Sequence, residues 1–468
     1  MESIDQNRKL KQQLFYETKH LSKMLTQEQK KKAASFCEGY KTFLQTCKTE
    51  RETVRFIVEV AKAKNFKPFE VGGSYQPGDR LYYVNRNKAI LLITVGKQGL
   101  ESGINIVASH IDSPRIDLKP RPLYEESEIA YFKTHYYGGI KKYQWPTLPL
   151  ALHGKIIKTG GEQLDLELGE KDDDPVFCIT DLLPHLADKQ IKKPMSSAIE
   201  GENLNLIVGS LPHCSSEEEG SDLIKLGTLK HLNEAYGLTE KDLINSELSL
   251  VPALKPRDVG FDRSLVGAYG QDDRVCAYAS LMAHLDQEMP NHTALTVFAD
   301  KEETGSEGNT GLDSFFLEYF IQDLAAIQGA DFRRVISNSK CFSADVNVAF
   351  DPSWASAFEK RNASLLNHGV VVTKYTGSRG KYSTSDASAE FLYEVTSLLD
   401  NNNIHWQTGL LGTVDTGGGG TVAKYIARLN IDVIDVGVAV LSMHSPYELT
   451  SKLDIFMFNL ACAAFLKR

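Results

Sequence analysis

Five short segments of the chain place a histidine or a carboxylate where an apolar run ends. INIVASHID ends in His110 and places Asp112 two residues on, and TVFADKEETGSEG carries Glu302 and Glu303 after another apolar run. The other three segments are GQDDRV with Asp272, CFSADVNVAFDP with Asp345, and IDVIDVGVAVLSMHSPYE with His444. In open α/β sheets, the carboxyl ends of the strands are where ligand sites collect.

Taken singly, most of these motifs have an ordinary structural explanation. Asp272 and Asp273 precede a predicted helix, where acidic residues cap the first turn and interact favourably with the helix dipole. A single histidine at a strand end, such as His110 or His444, is more often structural than functional. No single motif therefore defines a function.

Together the motifs favour a metal centre. Glu302 and Glu303 are adjacent carboxylates after a predicted buried strand, and Asp345 lies inside a strand-like run, so all three are costly without a positive partner. Two histidines and three carboxylates suit two zinc ions, or another borderline divalent pair, that share one bridging aspartate. Glu302 is then free to act as a base. No cysteine lies in these motifs, as expected for an open catalytic site.

Composition narrows the class of protein. The chain has 468 residues, of which 42% are hydrophobic and 24% charged, so it can bury a substantial core. Its net charge of -9 argues against a nucleic-acid partner. Seven cysteines without a C-x-x-C pair are typical of reduced thiols in a cytoplasmic protein. No apolar run is long enough to span a bilayer, and the polar N-terminus lacks the core of a signal peptide.

The order of the predicted elements indicates an α/β sandwich around a mixed or parallel sheet. The first 65 residues read as helical, and continuous apolar runs begin with LYYV, AILLITVG and INIVASH. Such runs are typical of strands buried on both faces. Further runs at residues 294–299, 341–350 and 431–440 alternate with helical patterns at 275–285, 312–327 and 387–399.

The middle of the chain has a different character. Residues 150–255 contain acidic clusters (EKDDD, SSEEEG) and segments of period two such as LDLELG and LNLIVG. We therefore expect residues 150–255 to form a largely β insertion. Residues 1–149 and 256–468 would together form the discontinuous catalytic domain.

Nine segments resemble the aspartyl aminopeptidase / aminopeptidase I family of zinc metallopeptidases. They are ASHIDSPR, THYYGGI, PHLA, GQDDR, DKEETGSEG, SADVNVAFDP, GSRGKYSTS, DTGGGGT and SMHSPYE. They occur in the family's order from about residue 70 to the C-terminus. The resemblance implies a zinc-exopeptidase αβα sandwich, an inserted dimerisation and lid domain, and a homo-oligomer, a dodecamer built from dimers.

The resemblance also assigns roles within the site. His110 and Asp345 would hold one metal, Glu303 and His444 the other, and Asp272 would bridge them. Glu302 would be the general base, and Asp112 would orient His110. We expect two divalent ions per subunit, Zn²⁺ foremost, with Co²⁺ or Mn²⁺ as alternatives.

Two positions depart from the family pattern. In the acid-specific branch, a lysine on the strand before GSRG meets the acidic side chain of the substrate, and here Lys374 stands one residue later. A shift of one residue along a strand reverses the face on which a side chain lies. In the family's PHLAIH segment, the last histidine contributes to a neighbouring site. Here His185 matches the first histidine, and Lys189 stands at the position of the last.

The sequence thus predicts a metal-dependent aminopeptidase that removes residues from peptides with a free N-terminus. Its preference stays open between acidic (Asp or Glu) and neutral, Leu-like residues. His185 and Lys374 are the predicted substrate-binding residues. Two alternatives stay open: a deacylase or carboxypeptidase with a similar metal pair, and a non-catalytic scaffold or cargo protein of the same fold. The complete ligand set and Glu302 argue against the scaffold.

Overall fold

Continuous apolar runs form a nine-stranded mixed sheet at the centre of the molecule. The computed structural model describes residues 2–213 and 221–468, with side chains from residue 6 onward. The strand order is β1-β2-β3-β14-β4-β15-β19-β17-β18. The strands are β1 Lys67–Pro68, β2 Arg80–Asn85, β3 Ala89–Thr94, β4 Ile104–His110, β14 Thr293–Ala299, β15 Lys340–Ser343, β17 Val370–Thr373, β18 Trp406–Thr408 and β19 Asp432–Gly437.

The four middle strands of this sheet, β14, β4, β15 and β19, run parallel. Their carboxyl ends therefore meet at one edge of the sheet. On strand β3, Leu91 and Ile93 pack into one core cluster, whereas Ile90 and Leu92 pack into another on the opposite face. Burial on both faces explains why the strand sequences are continuously apolar rather than alternating.

Helices cover both faces of the nine-stranded sheet. One layer contains α2, α3, α7, α10 and α12, and the other contains α8, α9 and α11. Helices α2 and α3 both begin with a capping box, which satisfies their first free N–H groups. The helices are α1 Glu2–Leu14, α2 Gln27–Thr46, α3 Glu50–Ala63, α4 Asp188–Ile191, α5 Met195–Ala198, α6 Leu223–Tyr236, α7 Gln271–Leu285, α8 Phe316–Gln328, α9 Phe332–Asn338, α10 Ala389–Asn401, α11 Ala423–Ala427 and α12 Lys452–Lys467.

A second sheet of seven antiparallel strands has its own apolar core, against which α6 packs. The order is β8-β7-β11-β5-β6-β10-β9. The strands are β5 Arg115–Glu126, β6 Ile129–Tyr137, β7 Leu150–Ile157, β8 Gln163–Leu168, β9 Cys178–Ile179, β10 Leu206–Gly209 and β11 Ser246–Pro252. This sheet therefore draws its strands from residues 115–252 and starts before residue 150, where the sequence placed the insertion. The predicted domain division itself stays a prediction.

A third sheet has five strands in the order β12-β13-β21-β20-β16. Two of its strands directly precede α7, and two others flank the SMHSPYE motif. Its strands are β12 Arg257–Val259, β13 Leu265–Ala268, β16 Asn347–Val348, β20 Ala439–Leu441 and β21 Glu448–Ser451.

The predicted αβα sandwich with a mixed sheet is confirmed, as are the helical start of the chain and the main strands. One local expectation was wrong. The run at residues 341–350 is not one strand, because it divides into β15 and β16, and Asp345 lies between them. The division lets Asp345 leave the sheet. Within the described residues, no helix is long and apolar enough to cross a membrane.

Candidate metal centre

Four of the predicted site residues meet at the carboxyl edge of the parallel strands. His110 is the last residue of β4 and pairs in register with Ala299, the last residue of β14. Glu302 and Glu303 follow β14 in a short 3₁₀ turn. Asp345 comes two residues after β15, which is the other parallel neighbour of β4. Sheet register therefore places these side chains together.

The third sheet brings Asp272 and His444 to the same place. Asp272 lies in the first turn of α7, just after β13, and His444 lies in the turn between β20 and β21. The peptide bond between Asp272 and Asp273 is cis. Glu448, at the start of β21, accepts hydrogen bonds from the backbone N–H of Asp272 at 3.0 Å and of His444 at 2.7 Å. One buried carboxylate thus fixes two separate segments of the site.

Asp272 lies between the two histidines. Its Oδ1 is 3.2 Å from Nε2 of His110, and its Oδ2 is 3.2 Å from Nε2 of His444. On the far side, Nε2 of His444 is 3.6 Å from Oε2 of Glu303. Burial would raise the pKa of Asp272, but its hydrogen bonds with the histidines hold that pKa below its ordinary value. Each oxygen of one carboxylate therefore faces a different imidazole.

Each histidine has a backbone partner on its other ring nitrogen. Nδ1 of His110 lies 3.0 Å from the carbonyl oxygen of Asp112, and Nδ1 of His444 lies 3.0 Å from the carbonyl oxygen of Gly139. Carbonyl oxygens only accept, so each Nδ1 carries the proton and donates it. Without metal, Nε2 of each ring donates to Asp272. A ring that gives up this proton would turn an Nε2 lone pair toward the same place, which is the arrangement a metal ligand requires.

Asp112 is fully buried and makes hydrogen bonds to several parts of the site. Its carboxylate accepts hydrogen bonds from the backbone N–H of Glu302 at 3.1 Å and of Glu303 at 3.2 Å, and from the hydroxyl of Tyr137 at 2.7 Å. Its Oδ1 also lies 3.3 Å from Nδ1 of His110. The same side chain therefore orders the glutamate turn and lies against one histidine.

Burial and charge perturb the titration of the whole cluster. Burial raises the pKa of Glu302 to about 7 and raises the pKa values of Glu303 and Asp345 well above their ordinary range. Burial would lower the pKa of His110, but hydrogen bonds to two neighbouring aspartates raise it well above its ordinary value. Protons offset part of the repulsion among these carboxylates, and a divalent cation could replace those protons.

The donor set fits a divalent metal. Within the described residues, two groups have ligand atoms all within 4.8 Å of one another: His110, Asp273 and Asp345, and His110, Asp272 and Glu303. Oε1 of Glu303 and Oδ1 of Asp273 are buried and have no hydrogen-bond partner in the described structure. Buried carboxylate oxygens of that kind are costly unless a cation meets them. Imidazole nitrogens combined with carboxylate oxygens suit zinc and similar ions.

A cleft of about 460 Å³ opens over the cluster. Its walls include Glu302, Asp345, Asn347, Thr376, Ser383, Met443 and the glycine run. Gly418 has φ +129°, and a Cβ there would lie 2.2 Å from the carbonyl oxygen of Gly377. That close approach is made by the chain's own 377–378 segment, so packing explains this glycine. Gly419 and Gly420 line the cleft, where small residues leave room for a substrate.

The two predicted substrate-binding residues do not line this cleft. The ammonium of Lys374 is bound within its own segment, to Oδ1 of Asp386 at 2.5 Å and to the carbonyl oxygen of Ala387 at 2.8 Å. His185 lies on the surface in a short 3₁₀ turn, and Lys189 is exposed nearby in α4. A role for His185 or Lys374 in substrate binding stays a prediction.

Three residues of the site lay outside the sequence prediction. The sequence indicates only a helix-start acid at Asp273, whereas in the structure its Oδ2 accepts the backbone N–H of His110 at 3.3 Å. In the sequence, Glu448 is only the last residue of the SMHSPYE segment. The two backbone N–H groups that it accepts come from segments that only the tertiary structure brings together. Lys424 lines the cleft and follows the glycine run. The spacing of Lys424 from DTGGGGT was the one signal that could have suggested it.

Comparisons with known proteins identify the family of the chain. The model of the "Aminopeptidase I zinc metalloprotease (M18)" family matches residues 43–466. A probable M18 family aminopeptidase 1 of Borrelia garinii subsp. bavariensis is 46% identical over 452 residues, which cover 95% of this chain and 98% of the relative.

Two crystal structures extend the likeness to the fold. The M18 family aminopeptidase of Thermotoga maritima is 44% identical with a TM-score of 0.92, over 97% of this chain and 100% of that one. Aminopeptidase I of Clostridium acetobutylicum is 42% identical with a TM-score of 0.91, over the same shares. The chain therefore belongs to the M18 family of zinc metalloproteases. It is a metal-dependent aminopeptidase, as the sequence predicted.

Proposed function

We propose that the cluster binds two divalent metal ions, with zinc as the native metal. His110 and Asp345 would hold one ion, Glu303 and His444 would hold the other, and Asp272 would be shared between them. The observation that carries this proposal is the position of Asp272, whose two oxygens each lie 3.2 Å from a different histidine. Asp273 lies close enough to His110 and Asp345 to support the first ion.

We propose Glu302 as the general base of peptide hydrolysis. A metal pair of this kind supplies, when bound, a water whose pKa is lowered to near 7. Without metal, burial raises the pKa of Glu302 to about 7. Its carboxylate lines the cleft beside the proposed metal ligands, where it can accept a proton and return it to the leaving amine. Asp112 orients His110 and fixes the glutamate turn through its contacts with the backbone N–H groups of Glu302 and Glu303.

The cleft supports hydrolysis at a free N-terminus. Its floor carries several carboxylates, which attract a substrate ammonium group, and its glycine wall leaves room for a peptide backbone. The preference for the N-terminal residue of the substrate stays open between acidic and Leu-like residues. Lys374 is tied to Asp386 and Ala387, so an acidic preference through Lys374 requires that segment to rearrange.

The substrate test uses Asp-, Glu-, Leu- and Lys-anilides with enzyme that has been stripped of metal. We expect cleavage to return when Zn²⁺, Co²⁺ or Mn²⁺ is added back, and the anilide cleaved fastest identifies the N-terminal preference. N-acetylated versions of the same anilides serve as controls and should resist cleavage. Hydrolysis of N-acyl substrates alone would contradict the proposal and favour a deacylase.

We propose that the inserted segment, residues 150–255, forms a dimerisation and lid unit and that the enzyme assembles as a dodecamer. Five apolar side chains between residues 182 and 195 are about half exposed or more, which is unusual for a free surface: Leu182, Leu183, Leu186, Ile191 and Met195. They flank His185, which a neighbouring subunit would therefore meet. The yeast mApe1 chain, whose solved structure is a dodecamer, shares the fold at 22% identity and a TM-score of 0.73.

The assembly test measures particle mass by light scattering. The double variant Leu186→Gln with Ile191→Gln should form smaller particles than the parent chain, because it removes apolar area from the proposed contact. Val71→Gln, which changes an apolar residue that is 75% exposed outside this region, is the control and should keep the parent mass. A monomeric parent, or an unchanged mass in the double variant, would contradict the proposal.

We further propose that the enzyme works in the cytoplasm. The six cysteines among the described residues are all free, and five of them are buried. Free thiols are typical of a reducing compartment. Cell fractionation followed by immunodetection tests this location, and recovery from an extracytoplasmic fraction would contradict it.

A further inference from the structure

Lys424 is the only lysine or arginine among the described residues that line the cleft. Four carboxylate side chains line the same cleft: Asp272, Glu302, Glu303 and Asp345. Lys424 is half-buried and lies in helix α11, directly after the glycine run. Lys424 therefore adds a cationic residue to the lining of the space that a bound peptide would occupy.

Helix α11 is fixed to the segment that follows the catalytic turn. The hydroxyl of Tyr425 donates to the carbonyl oxygen of Gly305 at 2.5 Å. One turn later, the guanidinium of Arg428 donates to Oδ1 of Asp313 at 2.6 Å and to the carbonyl oxygen of Asp313 at 3.1 Å. These contacts fix α11, which carries Lys424, against the segment 305–313 that follows Glu302 in the chain.

Lys424 has no carboxylate partner in the described structure. Its ammonium lies 4.6 Å from the centre of the Tyr425 ring, a cation–π contact that leaves its hydrogen-bond donors free. Lys374, by contrast, is paired with Asp386. A cleft-lining lysine without an acidic partner can bind a carboxylate that a ligand brings, through charge-assisted hydrogen bonds.

We propose that Lys424 is a specificity-determining residue that binds a carboxylate of the peptide substrate. This inference rests on the proposed aminopeptidase site and goes beyond it by naming the substrate chemistry. The carboxylate has three possible sources: the side chain of the first residue, the side chain of the second residue, or the C-terminus of a short peptide. In each case the ligand group is a carboxylate close to the scissile bond.

The experiment compares substrates that differ only in one charge. Three pairs cover the three sources: Glu- and Gln-anilide, Leu-Asp-amide and Leu-Asn-amide, and Leu-Leu and Leu-Leu-amide. For each pair, the ratio of kcat/KM for the acid to kcat/KM for the amide is measured with the metal-loaded enzyme. Lys424→Gln and Lys424→Met remove the charge, and the methionine variant keeps an apolar stem over Tyr425.

We expect both variants to lower the ratio about tenfold or more for at least one pair, which also identifies the source. Lys424→Arg should keep that ratio within about threefold, since it retains a cation. Lys97→Gln removes the same charge from an exposed site outside the cleft and should leave every ratio within about twofold.

Ratios that stay within about twofold for all three pairs in both variants would overturn the role of Lys424. The same holds if Lys374→Gln, but neither Lys424 variant, lowers a ratio. Failure of the parent enzyme to cleave any of the six substrates would instead contradict the proposed function, so the two failures are distinguishable.

Discussion

Glu448 connects two residues of the metal centre through one buried carboxylate. Its two oxygens accept separate backbone N–H groups, those of Asp272 and His444, which lie far apart in the sequence. Burial raises its pKa to about 8. Groups that orient metal ligands commonly affect metal affinity nearly as much as the ligands themselves.

Glu448→Gln should weaken metal binding about 10- to 100-fold. The amide oxygen can still accept one N–H, but the amide NH₂ would face the other N–H without an acceptor. Competition with a chromophoric chelator measures the affinity, and thermal unfolding shows whether the variant is folded. Glu390→Gln, an exposed change at the start of α10, is the control. Parent affinity in a folded Glu448→Gln enzyme would contradict this role.

The residues of the centre differ in how far sequence could predict them. His110, Glu302 and Glu303 were predictable because strand ends place polar groups at one edge of a parallel sheet. Asp272 and Asp345 needed the combination of motifs. The contacts of Asp273 and Glu448 depend on how two sheets and a helix meet, and nothing local in the sequence encodes that arrangement.

At the scale of elements, β15 is held in place by α12. Phe342 in β15 is fully buried and stacks on Phe465 of α12, with ring centroids 3.8 Å apart and planes inclined by 13°. Stacked aromatic pairs of this kind add to the free energy gained from burial alone. The strand ends two residues before Asp345, so this packing fixes where Asp345 leaves the sheet.

Phe342→Ala should lower the free energy of unfolding by about 3–5 kcal/mol, because it leaves a cavity beneath α12. Urea unfolding at fixed metal concentration, followed by circular dichroism, measures the change. Tyr393→Ala removes an aromatic ring that is 73% exposed and should cost no more than about 0.5 kcal/mol. Equal losses in the two variants would show that the Phe342 packing does not stabilise the fold.

The elements themselves were largely predictable, because buried strands and helices have distinct periods. The sequence could not show that the 341–350 run breaks at Asp345, since Val346 and Val348 continue the apolar pattern. The sequence also gives no sign that β5 and β6, which precede residue 150, pair in the second sheet. Their pairing with β11 and β10 is non-local and leaves no trace in local composition.

At the scale of the whole molecule, the buried acid cluster links stability to pH. The pKa of Glu302 rises from its ordinary value of 4.5 to about 7 on folding, so the folded state binds more protons between those values. Its contribution to stability is present below pH 4.5 and is lost as pH rises through about 7. The pKa of His444, raised from 6.5 to about 10, has the same sign.

Metal-free protein should therefore lose stability as pH rises from about 5 to about 8, and added zinc should stabilise it most at the upper end. At high pH the cation replaces protons that the carboxylates have already lost. Thermal unfolding across this range, with chelator or with zinc, measures both effects. A chelated protein that gains stability across the range would contradict the proposed electrostatics of the centre.

The role of Glu302 is the central claim, and the variant Glu302→Gln tests it most directly. Metal content per subunit and kcat on a cleaved anilide are measured on the same preparations of parent and variant. We predict two metal ions per subunit in both enzymes and a loss of kcat of about 10²- to 10⁴-fold in the variant, because its amide cannot accept the proton. Parent-like turnover with both metals bound would contradict the claim.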